Sequence, residues 1–134
     1  MLLKQPLLQL NTPTKDTGLI YTVAVLRDAG VLVPGKTIYG DIKYNAYSAA
    51  GLNINHVAFI ITNLVIDGNL LLGDVRLLTT PYGEVLKALP TTEYQFSLSC
   101  AQQWNAHTKV VTKLLIIKGT AFLKLIEYGL NENT

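Results

Sequence analysis

The chain has 134 residues, 49% hydrophobic and 15% charged, with 11 Lys and Arg against 9 Asp and Glu. That length fits one compact domain with a core large enough to need no disulfide or metal, and a single cysteine excludes an intrachain disulfide. A net charge of +2 with scattered basic residues argues against electrostatic binding of nucleic acid, and no apolar run approaches the roughly 18 residues of a membrane span.

Residues 1–17 hold two of the five prolines among Gln, Asn, Thr and Lys, and read as an irregular N-terminal arm. Lys4, Gln5, Pro6 and Gln9 interrupt its leucines, so it lacks the apolar stretch of a signal peptide. Leu2, Leu3, Leu7, Leu8 and Leu10 follow neither helical nor strand periodicity. An arm docked on a neighbouring chain would bury them, which makes Leu7, Leu8 and Leu10 interface candidates. Leu19–Leu26 is β-branched and apolar on both faces, the pattern of a central strand. Asp28-Ala29-Gly30 and Pro34-Gly35 punctuate the next stretch, Thr37–Tyr47 alternates loosely as a polar-faced strand, and Ser48–Gly51 reads as a loop.

Ile54–Ile66 and Leu70–Leu78 flank Asp67-Gly68-Asn69, a hairpin signal, and Ile60 and Leu64 are expected in its buried face. Thr80-Pro81 reads as N-cap and first helical position, with Val85, Leu86 and Leu89 as the apolar stripe ending at Pro90. Tyr94–Cys100 alternates cleanly, Tyr94, Phe96, Leu98 and Cys100 on one face and Gln95, Ser97 and Ser99 on the other. Lys109–Ile117 and Thr120–Tyr128 flank Lys118-Gly119 and suggest a second hairpin. Residues 18–129 are thus expected to form one domain and residues 130–134 a loose tail. The fold class is mainly β with one or two short helices, a β-rich α+β barrel.

The stretch HVAFIITNLVIDGNLLLGDVRLLTTPYGEVLKAL, with Phe96-Ser97-Leu98-Ser99 and the apolar strands through Tyr128 after it, resembles the tailed-phage prohead proteases. More distantly it resembles the herpesvirus assemblins, and the likeness covers roughly residues 37–128. The resemblance implies a small prohead-protease-like β-barrel. It also implies a Ser–His pair with a third orienting residue, because a serine hydroxyl needs a base within hydrogen-bond reach. Ser97 matches the nucleophile. The family's histidine element matches Gly40-Asp41-Ile42-Lys43-Tyr44-Asn45, with Tyr44 in the place of the base, and Ser99-Cys100 or Cys100-Ala101 stands where an Arg-Gly pair is usual. A shifted alignment instead matches Leu52-Asn53-Ile54-Asn55-His56 to the assemblin histidine and His107 to its second histidine. That alignment allows a Ser97–His56–His107 triad. A one-residue slip turns every side chain of a strand to its other face, so the two alignments exclude each other; the gap-free one is preferred.

The resemblance and the missing base together imply a non-enzymatic assembly component of a tailed-phage virion, on a protease fold without its catalytic histidine. Other virion or capsid-assembly proteins would be its partners, with a homo-oligomer open, no membrane and no nucleic acid. Its place would be the virion, or the host cytoplasm during assembly. An active serine endopeptidase processing scaffold and capsid precursors is the alternative, and an unrelated small β-barrel binding module the third. Simpler roles stand beside the sharp ones. Ser97 and Ser99 can be the polar face of a strand, His56 a hydrogen-bonded histidine beside Ile54, Ala58 and Ile60, and Cys100 a small hydrophobe beside Phe96 and Leu98. Asp74 and Glu84 are conceivable orienting carboxylates but suit ordinary surface pairing better. Two histidines without a cysteine or acidic cluster make no zinc site, and no cofactor is expected. Trp104, in the loop Gln102–Ala106, is a further interface candidate.

Overall fold

A computed structural model describes residues 2–43 and 54–123. Its strands are β1 (Leu2–Gln9), β2 (Ile38–Lys43), β3 (Val57–Asp67), β4 (Leu70–Leu77), β5 (Tyr94–Trp104) and β6 (Val111–Leu123). Two short helices, α1 (Val23–Asp28) and α2 (Pro81–Ala88), join them. The strands form one sheet in the order β1-β4-β3-β2-β6-β5. Neighbours run antiparallel except β2 and β6, which run parallel. The sheet curls into a half-barrel, so that β1 and β5, the two ends of the order, touch without pairing.

The middle of the chain folds as its local chemistry dictates. Gly68 takes φ 60° in the turn between β3 and β4, a conformation costly for residues with a Cβ. The Thr80 side chain caps α2 by accepting from the Gly83 N–H at 3.1 Å, and its hydroxyl donates to the Val57 carbonyl, tying the helix to β3. Leu86 is fully buried under that helix, while Val85 is 40% exposed, so the apolar stripe is narrower than the sequence suggests. In β5, Tyr94 and Phe96 enter the core and Gln95 faces out.

Four expectations change. Residues 2–9 are not an irregular arm but an edge strand paired with β4, and Leu7 and Leu10 lie in the core, Leu10 fully buried. Leu19–Leu26 is not a central strand. Ile20 makes isolated bridges to Pro13 and Val110, and Val23 onward is helical, started by Thr22 Oγ1 accepting from the Val25 N–H. Lys118-Gly119 is not a turn, because β6 runs unbroken through it and pairs with β5 across the turn at residues 105–110. Ile60 is only partly buried, whereas Ile61 and Leu64 are in the core. Bulges at Ala58 and around Asn63 (φ 52°) interrupt the alternation of β3, so period-two reading assigns the wrong face to Ile60. Tyr44–Asn53 and residues 124–134, including the ends of two expected strands, the expected loop and the tail, lie outside the described residues.

Gly119 is needed where it is for packing. A Cβ there would lie 2.8 Å from the Phe59 ring, and one at its neighbour Gly40 would collide with the same ring. Phe59 is completely buried and meets Phe96 edge-on at 4.9 Å. The paired glycines of β2 and β6 therefore form a window that the aromatic ring fills. Removing core volume should be costly: Leu10→Ala and Ile61→Ala are each expected to lose ~2–5 kcal/mol in urea unfolding, and Ile60→Ala clearly less. An equal loss at Ile60 would contradict the bulged register.

Candidate functional site

The register sets what stands beside Ser97. Ser97 on β5 is opposite Thr120 on β6, Thr120 is opposite Asp41 on β2, and Asp41 is opposite Val57 on β3. Directly paired residues share a face. Ser99, one step along that face, is opposite Lys118. Ser99 Oγ and Thr120 Oγ1 share a hydrogen bond of 2.7 Å. Lys118 Nζ lies 3.0 Å from Asp41 Oδ1 and donates to Oδ2 at 3.1 Å, with both side chains 6% exposed. The serine row is thus flanked by a lysine engaged by a carboxylate, not by a histidine. Ser97, Ser99 and Thr120 line a cleft of roughly 710 Å³ together with Lys15, Asp16, Lys43, Gln95 and Phe122.

Neither histidine stands beside the serine. His56 ends a 3-10 turn before β3, and its ring lies 4.4 Å from that of Tyr82 on α2. Three strand spacings, about 14 Å along the sheet, separate its end of β3 from Ser97. His107 is exposed in the β5–β6 turn, its backbone N–H donating to Asn105 Oδ1 at 2.9 Å. About 23 Å of strand lies between Ser97 and Trp104, and His107 is beyond that. By register, Ser97, His56 and His107 therefore stand at three separate places on the sheet. Tyr44, the residue matched to the base, lies outside the described residues. Asp74 accepts from Asn63 Nδ2 at 3.0 Å, and Glu84 pairs with Lys87 at 3.1 Å, so both carboxylates are engaged locally. Among the described residues no group of three or more His, Cys, Asp and Glu is placed to hold a metal.

Of the interface candidates, Trp104 is 47% exposed, whereas Leu7 and Leu10 are enclosed by this chain's own core and Leu8 is half-buried against it. The leucines serve the fold, because pairing with β4 gives their strand a place in the sheet. The Asp41–Lys118 pair is not legible in the sequence. Asp41 falls in the histidine-like element and Lys118 in an expected turn, and nothing local relates residues 77 apart. The one available signal is a glycine beside each of them, Gly40 and Gly119, since glycine within a strand often marks close approach.

The described residues thus form a curled β half-barrel in which a capped short helix leads into the strand that carries Ser97. Among solved structures the chain is similar to the bacteriophage T4 capsid assembly protease, with a TM-score of 0.71 over 90% of this chain and 80% of that one. The identity is 14%, and the likeness is one of fold. No family model and no curated protein matches the chain. No helix among the described residues is long and apolar enough to cross a membrane.

The buried pair and the half-buried thiol each have a measurable consequence. Replacing one partner of the pair, Asp41→Leu or Lys118→Met, leaves a charge stranded and should cost ~3–5 kcal/mol, while the double variant should lose less than the sum of the two; a thermodynamic cycle from urea unfolding measures this. Burial pushes the Cys100 thiol up to about 12 from its ordinary 9.0. As pH rises through that window the unfolded chain releases this proton first, so stability is full below pH 9.0 and falls as pH approaches 12. Cys100→Ala should therefore shallow the alkaline loss of stability, and an unchanged slope would exclude the thiol as a contributor.

Proposed function

We propose that the protein is a non-enzymatic structural or assembly component of a tailed-phage virion, built on the capsid-protease fold without its serine chemistry. The observation that supports this reading is the row beside Ser97, where the neighbours among the described residues are Thr120 and the Asp41–Lys118 ion pair and neither histidine. A serine hydroxyl with no acceptor for its proton remains a weak nucleophile. The Thr120 hydroxyl is already bonded to Ser99. The gap-free alignment puts Tyr44, a phenol rather than an imidazole, in the place of the histidine. With the chemistry gone, the half-barrel serves as a platform for contacts with other virion or capsid-assembly proteins, in the virion or in the host cytoplasm during assembly.

One observation favours a second reading. Ser97 and Ser99 open onto a cleft of roughly 710 Å³, space that a peptide substrate of a serine endopeptidase would use. A fluorophosphonate probe and co-expression with scaffold and capsid precursors separate the two. The expected outcome is no labelling and no cleavage, with the protein recovered in assembled particles on co-sedimentation. Stoichiometric labelling that disappears in Ser97→Ala would establish the endopeptidase instead.

A further inference from the structure

The strand directions bring two hairpin tips to one end of the sheet. β3 is antiparallel to β2, β2 is parallel to β6, and β6 is antiparallel to β5, so β3 and β5 run toward the same end. The β3–β4 turn and the β5–β6 turn both close there, with β2 between the two hairpins. The tips carry opposite charge. From Tyr94 through Leu123 the chain has no Asp or Glu, and the β5–β6 tip presents Lys109 and Lys113. From Val57 through Val75 it has no Lys or Arg, and the β3–β4 tip presents Asp67. Among the described residues none of these three charges is in an ion pair.

Both tips are also apolar. Trp104 (47%) and Leu115 (66%) are exposed on the basic hairpin, and Val65 (43%) and Leu70 (41%) on the acidic one. These are four of the seven large hydrophobic side chains exposed among the described residues, so the exposed apolar surface is concentrated at this end. Such concentration marks a contact surface, whereas isolated exposed leucines need no explanation.

We propose that this end of the sheet binds a second copy of the same chain about a two-fold axis, each basic tip seated on the acidic tip of the other copy. In an isologous contact each pairing occurs twice, so one axis joins both pairs of complementary tips. Like tips placed together would instead set Lys against Lys and Asp against Asp. Nucleic acid is the weaker occupant, because it would engage the basic tip alone and leave Val65, Asp67 and Leu70 unused. This association does not depend on whether Ser97 reacts.

The test is sedimentation velocity of the full chain over a range of concentrations, with melting curves to show that every variant folds. The wild-type chain is expected to dimerise. Lys109→Glu/Lys113→Glu and Asp67→Lys should each raise the dissociation constant more than about tenfold, since each sets like charges against each other at both contacts. Mixed in equal amounts, the two variants should dimerise again, because every altered tip then faces an opposite charge. Trp104→Ala/Leu115→Ser, which alters no charge, should also weaken the dimer. A monomeric wild type would overturn the proposal, including one that binds a single-stranded oligonucleotide through its lysines. So would a dimer indifferent to these changes, or a mixture that stays monomeric.

Discussion

The parallel pairing of β2 with β6 is the contact on which the sheet depends. It joins the β1-β4-β3-β2 half of the order to the β6-β5 half, between segments whose ion pair links residues 77 apart. Closing so long a loop costs conformational entropy, and each further doubling of length adds only about 0.6 kcal/mol. The junction must therefore be specific more than it must be strong. Both faces supply that specificity. On one, Gly40 and Gly119 lie side by side and admit the Phe59 ring. On the other, Asp41 and Lys118 meet with both side chains almost wholly enclosed. A slip of one residue would put a Cβ into the ring and exchange the faces of the charged side chains. A buried ion pair is weak evidence for net stability, but it penalises every register that leaves one of its charges alone.

The same junction shapes the serine row. Because Asp41 is opposite Thr120, and Thr120 opposite Ser97, the side chains that fix the register also occupy the space around the serine. A base inserted there would have to displace either the Ser99–Thr120 hydrogen bond or the ion pair. Fold and chemistry thus compete for the same positions, and in this chain the described residues serve the fold. That links the likeness in fold to the proposal that the serine chemistry is absent.

What can be read from the sequence is what local chemistry decides. Gly68 in a turn, Thr80 before Pro81, and the alternation from Tyr94 to Phe96 each have causes within a few residues, and each is found in the structure. The misreadings have causes elsewhere in the chain. Pro6 suggests irregular backbone, yet proline is tolerated on an edge strand, and only pairing with Leu72 makes this segment a strand. Val23 and Val25 favour β structure, but the Thr22 cap and the burial of Val25 and Leu26 hold a six-residue helix. Gly119 looks like a turn because glycine serves both turns and close approaches, and Phe59, the ring it accommodates, is far away in sequence. The resemblance in the middle of the chain rests on the locally determined parts. It locates the fold, but not the residues that surround Ser97.

The serine row and the hairpin tips lie at different levels of the same strands, which bears on how the protein's roles can be separated. About 23 Å of β5 lies between Ser97 and Trp104. The Debye length at physiological salt is about 8 Å, so exposed charges changed at the tips are screened before they reach Ser97. Ala101, Gln103, Lys113 and Leu115, on one face of the tip end of the hairpin, are all exposed. Charge reversal at Lys109 and Lys113 should therefore leave the reactivity of Ser97 unchanged, and Ser97→Ala should leave association unchanged. A phenotype shared by both changes would point to loss of the fold through the β2–β6 junction, because that is the structure common to the serine row and the hairpin that carries the tip.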